Sequence, residues 1–331
     1  MVLRSDIQKL NRTSESEVFP AVILIDNFNG CNLRCSMCDH KSMKQYRKKQ
    51  TMGIDLYKKI IDEVALENPN ARVWEIFFGE PFLCRDMPER VRYAKGKGLK
   101  DVVLNSNGVL MTESRSKALI EAGLDAIYVG IDAASPQTYN QIRIGGNFEK
   151  AITNVLRYRD LLAKYGNGKQ KLFVQFVVSD INEHEVEAFM NFWSERQVNV
   201  KIRPKVSWAG LVEATNIAKN EQVRRKPCYW LMRTINICAD GRIALCSVDV
   251  HCRVPCGDAN RQSLKEIWQG VLRHYRSMHR QEKFEDLPQM CANCGDWQSA
   301  YADFVLSDCV IGKDRKSESV KDRGGNDDGE K

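Results

Sequence analysis

Cys31-Asn-Leu-Arg-Cys35-Ser-Met-Cys38 stands just after the run Ala21-Val-Ile-Leu-Ile-Asp-Asn27. The run is short, apolar and β-branched, which reads as a buried strand. Three thiols on one loop behind a strand can wrap a single small metal cluster. Three protein ligands leave one iron of a cubane open to a cofactor or substrate. On spacing alone two other readings stay open. One is a zinc loop completed by Asp39 or His40. The other is a set of buried thiols.

Outward from this stretch, strand-like runs recur at 72–78, 101–105, 126–132, 172–178 and 199–206. Helix patterns lie between them at 54–66, 87–97, 112–122, 148–165 and 183–196. Alternation at this spacing implies parallel strands joined by right-handed crossovers. Six units fall short of a closed eight-stranded barrel. The expected fold is α/β: a partial (β/α)6 TIM-like barrel over 21–206, with chemistry at the carboxyl ends of its strands. An N-terminal extension (1–20) precedes it, and a polar bridge (207–227) follows. Residues 228–311 form a small Cys-rich α+β domain. It holds a hairpin-like stretch, 234–247, turning at Asp240-Gly241. It also holds a capping box, Ser263-Leu-Lys-Glu266, opening a helix towards Arg280. The charged, Gly/Ser-rich tail 312–331 is expected to be disordered.

Composition narrows the function. The 331 residues suggest two domains, and 43% hydrophobic residues exclude a wholly disordered chain. Fifty Lys and Arg against 43 Asp and Glu leave a net charge of +7, too diffuse to indicate nucleic-acid binding. Mean hydropathy is −0.44, and no apolar run is long enough for a membrane span. The polar start of the chain lacks a signal core, so a cytoplasmic location is expected. Of the 12 cysteines, eight lie between Cys228 and Cys309. In a reducing compartment that density points to metal or cluster ligation rather than disulfides. Cys84 and Cys238 have apolar neighbours and read as core.

The C-x3-C-x2-C loop after the first strand of a partial barrel resembles the radical S-adenosylmethionine (radical SAM) superfamily. Supporting segments follow in order. Phe78-Gly79-Glu80-Pro81 resembles Gly-Gly-Glu-Pro, with Phe78 in the first Gly position. Asn105-Ser-Asn107-Gly108 resembles Thr-Asn-Gly. Gly130-Ile-Asp132 through Tyr139 to Arg143 resembles the fourth-strand segment, with Gly130 where relatives carry Ser. The resemblance implies that Cys31, Cys35 and Cys38 hold a [4Fe–4S] cluster and that SAM chelates its open iron. It implies further that Met37, Gly79, Glu80, Asn107, Asp132, Arg143 and Gln175 surround SAM.

Cys228-x17-Cys246, with four residues between Gly241 and the second thiol, and the ending Cys291-x2-Cys294 resemble the SPASM/twitch extension of these enzymes. The resemblance implies an auxiliary [4Fe–4S] cluster on Cys228, Cys246, Cys291 and Cys294; a structural zinc site is the alternative. The implied function is an oxidoreductase. A 5′-deoxyadenosyl radical takes hydrogen from a polar, carbohydrate-like substrate, and the auxiliary cluster assists oxidation of alcohol to ketone, or epimerisation. Epimerisation needs a hydrogen donor, for which Cys252, Cys256 and Cys309 are the candidates. Maturation of a ribosomally made peptide is one alternative, and a non-catalytic metal-stabilised interaction module another. The basic runs Lys41, Lys44, Arg47, Lys48, Lys49 and Arg224-Arg225-Lys226 suit solvated charge, an anionic substrate, or an electron donor such as flavodoxin or ferredoxin. Glu183, His184 and Glu185 read as a helix start. Neither a membrane nor a nucleic-acid partner is expected.

Overall fold

The computed structural model of the chain describes residues 15–214, 224–301 and 305–307. Strands β1 (Val22–Ile25), β2 (Arg72–Trp74), β3 (Asp101–Ser106), β4 (Ala126–Gly130), β5 (Lys171–Val178) and β6 (Asn199–Pro204) lie side by side in chain order, every pair parallel. The crossover helices Ile54–Glu67, Met87–Gly96, Glu113–Glu121, Phe148–Tyr165 and Val186–Glu195 cover one face. Their apolar stripes supply that layer, as with Ile60, Ile61 and Val64 on the first and Val155, Tyr158 and Leu162 on the fourth.

Strand periodicity decides what faces inward. On β4, Ile127 and Val129 pack into the helix layer, whereas Tyr128 packs on Phe173 of β5 in a separate cluster inside the barrel. Trp74, Tyr128 and Phe173 form a ladder with ring centroids 5.1 and 4.8 Å apart. On β6, Val200 and Ile202 join the helix-side core, which leaves Lys201 and Arg203 on the opposite face.

The C-terminal part extends the same sheet. The short helix Tyr229–Arg233 leads into β7 (Thr234–Ile237), which pairs parallel to β1 from Val22↔Thr234 to Ile25↔Ile237. Strands β8 (Arg242–Ala244) and β9 (Pro255–Asp258) add antiparallel partners, and β10 (Val305–Ser307) pairs antiparallel with β6 at the far edge. The hairpin expected over 234–247 is thus β7–β8, built onto the barrel's own edge.

Three details differ from the sequence expectations. Strand β2 stops at Trp74 rather than 78. The next residue, Glu75, is buried, and its carboxylate accepts hydrogen bonds from Tyr57 Oη and Asn27 Nδ2, both at 2.7 Å. The helix expected from the capping box to Arg280 is two helices, Leu264–Gln269 and Val271–Arg280, broken at Gly270; glycine lowers the cost of leaving helical geometry. Strands β9 and β10 were not foreseen, because Pro-Cys-Gly-Asp and Val-Leu-Ser carry little strand signal of their own. Residues 1–14, part of the bridge (215–223), Cys309 and the tail 312–331 lie outside the described residues. Among the described residues no helix is long and apolar enough to cross a membrane.

Candidate active site and second thiol cluster

A cavity of about 910 Å³ runs from the loop after β1 into the barrel interior. Cys31, Cys35 and Cys38 line it, together with Met37, Gly79, Glu80, Asn107, Arg143 and Gln175. The loop's shape comes from neighbouring strand ends. Glu80 Oε2 accepts the backbone N–H of Asn107 (2.8 Å), and Oε1 accepts Ser106 Oγ (2.9 Å) and the N–H of Phe82 (3.1 Å). The buried Glu80 carboxylate therefore ties the ends of β2 and β3 together. Its own N–H donates to the Gly30 carbonyl (2.8 Å). A Cβ on Gly79 would strike the Phe28 carbonyl, so only glycine lets the two loops approach this closely. Asn107 Nδ2 lies 3.9 Å from Cys31 Sγ, and Arg143 Nη1 lies 3.7 Å from Cys35 Sγ. Burial pushes the Cys31 thiol up to about 11, and burial with the Cys35 thiol nearby pushes Cys38 up to about 12.

Asp132 is placed differently from the other expected SAM-pocket residues. It is fully buried and does not line the cavity. Its Oδ1 accepts the Val177 N–H (2.7 Å), and its carboxylate pairs with Arg143, through which it meets the cavity. Gly130 explains the missing serine: a Cβ there would collide with the Arg143 guanidinium, which fills that space. Gln175 donates to Asn105 Oδ1 (3.0 Å) at the cavity wall.

The cavity floor holds residues the sequence reading passed over. Arg72, Lys201, Arg203, Lys205 and Arg233 join Arg143 in lining it, against a single carboxylate, Glu80. Arg72 pairs with Asp101 (2.7 Å), and Arg233 donates to the Tyr229 phenol. Lys201 lies over the Tyr128 ring, 4.9 Å from its centroid. Burial, with Arg203 and Arg72 nearby, pushes its amine down to about 7. The available signal was the alternation Asn199-Val-Lys-Ile-Arg-Pro204, which puts both cations on one face.

Other expectations fall into place around this cavity. Arg47 is not part of an exposed basic run: it is buried, paired with Asp26, and donates to the Val250 carbonyl (2.6 Å). Lys41, Lys44, Lys48 and Lys49 are exposed. Glu185 accepts Thr138 Oγ1 (2.7 Å) and the Ala134 N–H (2.6 Å), bracing the start of helix Pro136–Ile142. Trp208 Nε1 donates to the Met37 carbonyl (2.8 Å), and His251 Nε2 lies 2.9 Å from Asp39 Oδ2, so later segments grip the thiol loop. Cys252 packs with Cys238, Phe77 and Phe78, and Cys256 lies in the main core; neither lines the cavity.

The second set of thiols closes on itself. Cys228, Cys246, Cys291 and Cys294 line one cavity of about 20 Å³, walled by Leu231, Leu245 and Trp297. Burial raises all four thiols, Cys291 and Cys294 to about 12, and each lies within electrostatic reach of others in the set. Among the described residues no three His, Cys, Asp or Glu side chains close on a single ion. A ring of thiols around a void suits a multinuclear group. His279 lies beside them, and burial with Arg225 nearby holds its imidazole down at about 4.

Residues 28–193, half of the chain, match the family described as the Radical SAM superfamily. The chain belongs to that superfamily. Residues 228–295 match SPASM, an iron-sulfur cluster-binding domain. As a radical SAM protein with this domain it uses SAM and two [4Fe–4S] clusters. A probable GTP 3',8-cyclase of Methanococcus maripaludis is 32% identical over 49% of this chain and 51% of its own. The radical SAM chain thus spans about half the length of that curated relative. An uncharacterized protein of Treponema pallidum is 28% identical over 66% of this chain and 62% of its own. Among solved structures, BtrN in complex with AdoMet and 2-DOIA aligns with a TM-score of 0.58 at 16% identity, covering 83% of this chain and 93% of BtrN. Streptococcus suis SuiB bound to precursor peptide SuiA aligns at 0.65 and 13% identity, covering 89% and 73%. At these identities the likeness establishes a shared fold.

Proposed function

We propose that this radical SAM protein takes the hydrogen atom from a hydroxyl-bearing carbon of a small, polar, anionic, carbohydrate-like substrate and oxidises that alcohol to a ketone. One observation carries the reading: a single cavity joins the three-thiol loop to a floor lined by cations, with Glu80 the one carboxylate among the described residues of its walls. Arg72 already faces Asp101 and Arg143 faces Asp132, and an anion entering the cavity would meet the rest of this positive lining. When bound, the clusters and SAM supply a one-electron source, a hydrogen-abstracting radical and an electron acceptor.

The chain's own residues position these groups. Cys31, Cys35 and Cys38 would hold the first cluster. Met37, Gly79, Glu80, Asn107, Arg143 and Gln175 would surround SAM, and Asp132 would orient Arg143. Cys228, Cys246, Cys291 and Cys294 would hold the second cluster. Arg203 and Lys201 would seat the anionic group, while Trp74, Tyr128 and Phe173 exclude water beneath it. Cys252 and Cys256 are buried away from the cavity, which speaks against these two as hydrogen donors for epimerisation; the third candidate, Cys309, lies outside the described residues. The curated relative is named as a probable GTP 3',8-cyclase, and an anionic, phosphate-bearing substrate is in keeping with that name. Exposed Lys41, Lys44, Lys48 and Lys49 beside the thiol loop suit an acidic donor such as flavodoxin or ferredoxin. Oxygen-sensitive clusters suit a cytoplasmic setting.

The test begins with anaerobic protein rebuilt with iron and sulfide. Reductant and SAM should yield 5′-deoxyadenosine. Phosphorylated and nucleotide-linked sugars should raise that yield and pass deuterium from carbon into it, whereas neutral sugars should not. No 5′-deoxyadenosine from iron-loaded protein would end the reading; turnover of a peptide instead of any sugar would replace it with peptide maturation.

A further inference from the structure

The imidazole of His279 bridges two members of the second thiol set. It sits near the end of helix Val271–Arg280, fully buried, with the Phe284 ring set edgewise 5.5 Å away. Its Nδ1 lies 3.2 Å from the backbone nitrogen of Cys228. A backbone N–H can only donate, so Nδ1 is the acceptor and carries no proton in this contact. The proton of the neutral ring is then on Nε2. That nitrogen lies 3.3 Å from Cys291 Sγ. The sulfur therefore receives an N–H···S hydrogen bond whose direction is dictated at the other end of the ring.

The surroundings hold this geometry. Arg225 Nη2 donates to the Cys291 carbonyl (2.7 Å), and Arg225 also donates to the Ala292 carbonyl. The guanidinium carbon stands 4.5 Å from the centroid of Phe284, the ring against which His279 packs. Cys291 is thus fixed through its backbone by Arg225 and through its sulfur by His279. The sequence gives no local sign of this, because His279 lies 12 residues from Cys291 in a helix whose pattern is otherwise basic and amphipathic.

We infer that His279 is a positioning residue for the second cluster, donating its Nε2–H to the Cys291 sulfur and thereby raising the cluster's reduction potential. The inference rests on the four-thiol assignment in the proposed function. A hydrogen bond to a cluster sulfur draws electron density from it and stabilises the reduced, more negative state, which is one of the levers that tune such potentials. A cluster tuned this way accepts an electron from a reducing substrate radical more readily.

The test uses the full chain with both clusters rebuilt, and SAM added to separate the two EPR signals. In wild type carrying ring-15N histidine, pulsed EPR of the reduced second cluster should show one weak nitrogen coupling that changes with the isotope. In redox titrations, His279→Phe should lower the midpoint, shifting the reduced-to-oxidised ratio at fixed potential about tenfold, equivalent to 59 mV for one electron. His279→Gln, which keeps an N–H donor, should recover part of that shift. Equal midpoints in all three loaded proteins would overturn the inference. So would a wild-type spectrum without nitrogen coupling, or one strong enough to mean direct ligation, even if neither variant loads its cluster. A chain that binds only one cluster would instead sink the four-thiol assignment beneath it.

Discussion

The two thiol sets of this chain are built in opposite ways. The first three thiols sit on one continuous loop at the mouth of a cavity of about 910 Å³, and the side chains that touch them come from elsewhere, Asn107 from the end of β3 and Arg143 from the end of helix Pro136–Ile142. The four thiols of the second set come from three separate segments and close around about 20 Å³. One set opens onto a large cavity; the other surrounds a small one lined by Leu231, Leu245 and Trp297. Metal sites that perform chemistry leave a coordination position free, whereas sites that hold structure or pass electrons are saturated by protein. The contrast lies as much in the surrounding space as in the count of ligands.

Removing one thiol from each set gives the sharpest test of that contrast. Cys38→Ala should cut bound iron by about half and abolish 5′-deoxyadenosine formation. Cys291→Ala should remove a similar share of iron, yet SAM cleavage should persist while ketone formation is lost. Iron analysis and product assays on both variants decide it; identical losses of SAM cleavage would break the contrast.

The floor of the open site comes next. Arg203→Gln should raise the substrate KM about 10- to 100-fold, the worth of a charged hydrogen bond of about 1.5–3 kcal/mol. SAM affinity in that variant should stay unchanged. The pH profile sharpens the point. Burial and neighbouring cations depress Lys201, so its ammonium is lost as pH rises through about 7. Substrate KM should therefore climb above that pH, and Lys201→Arg, which stays charged, should flatten the rise. A smaller effect tests the wall: in Gly130→Ser the new side chain must displace Arg143. SAM binding by equilibrium dialysis should weaken about tenfold, or about 1.4 kcal/mol.

Much of this architecture was readable from residue order. Thiols at Cys31, Cys35 and Cys38, Gly79-Glu80, Asn107 and Arg143 follow successive strand runs, and in a parallel barrel those ends converge, so their meeting needs only the alternation of elements. Arg47 was not readable: within a run of lysines it looks solvated, and only the fold brings Asp26 to it. Lys201 and Arg203 were missed because alternation shows that they share a face, not that the face is the interior. Gly130, where relatives carry Ser, gives its space to the Arg143 guanidinium, a neighbour that only the fold brings to it. Strands β9 and β10 are specified by the partners they meet rather than by their own composition.

The pairing of β7 with β1 bears on how the chain can be divided. Without Thr234–Ile237, the row of amides and carbonyls along β1 has no partner on that side. A fragment ending before Thr234 would present a sticky margin beside its own three-thiol loop, ready to recruit strands from other molecules. The last third of the polypeptide thus guards the first strand against self-association, whatever electrons it also carries.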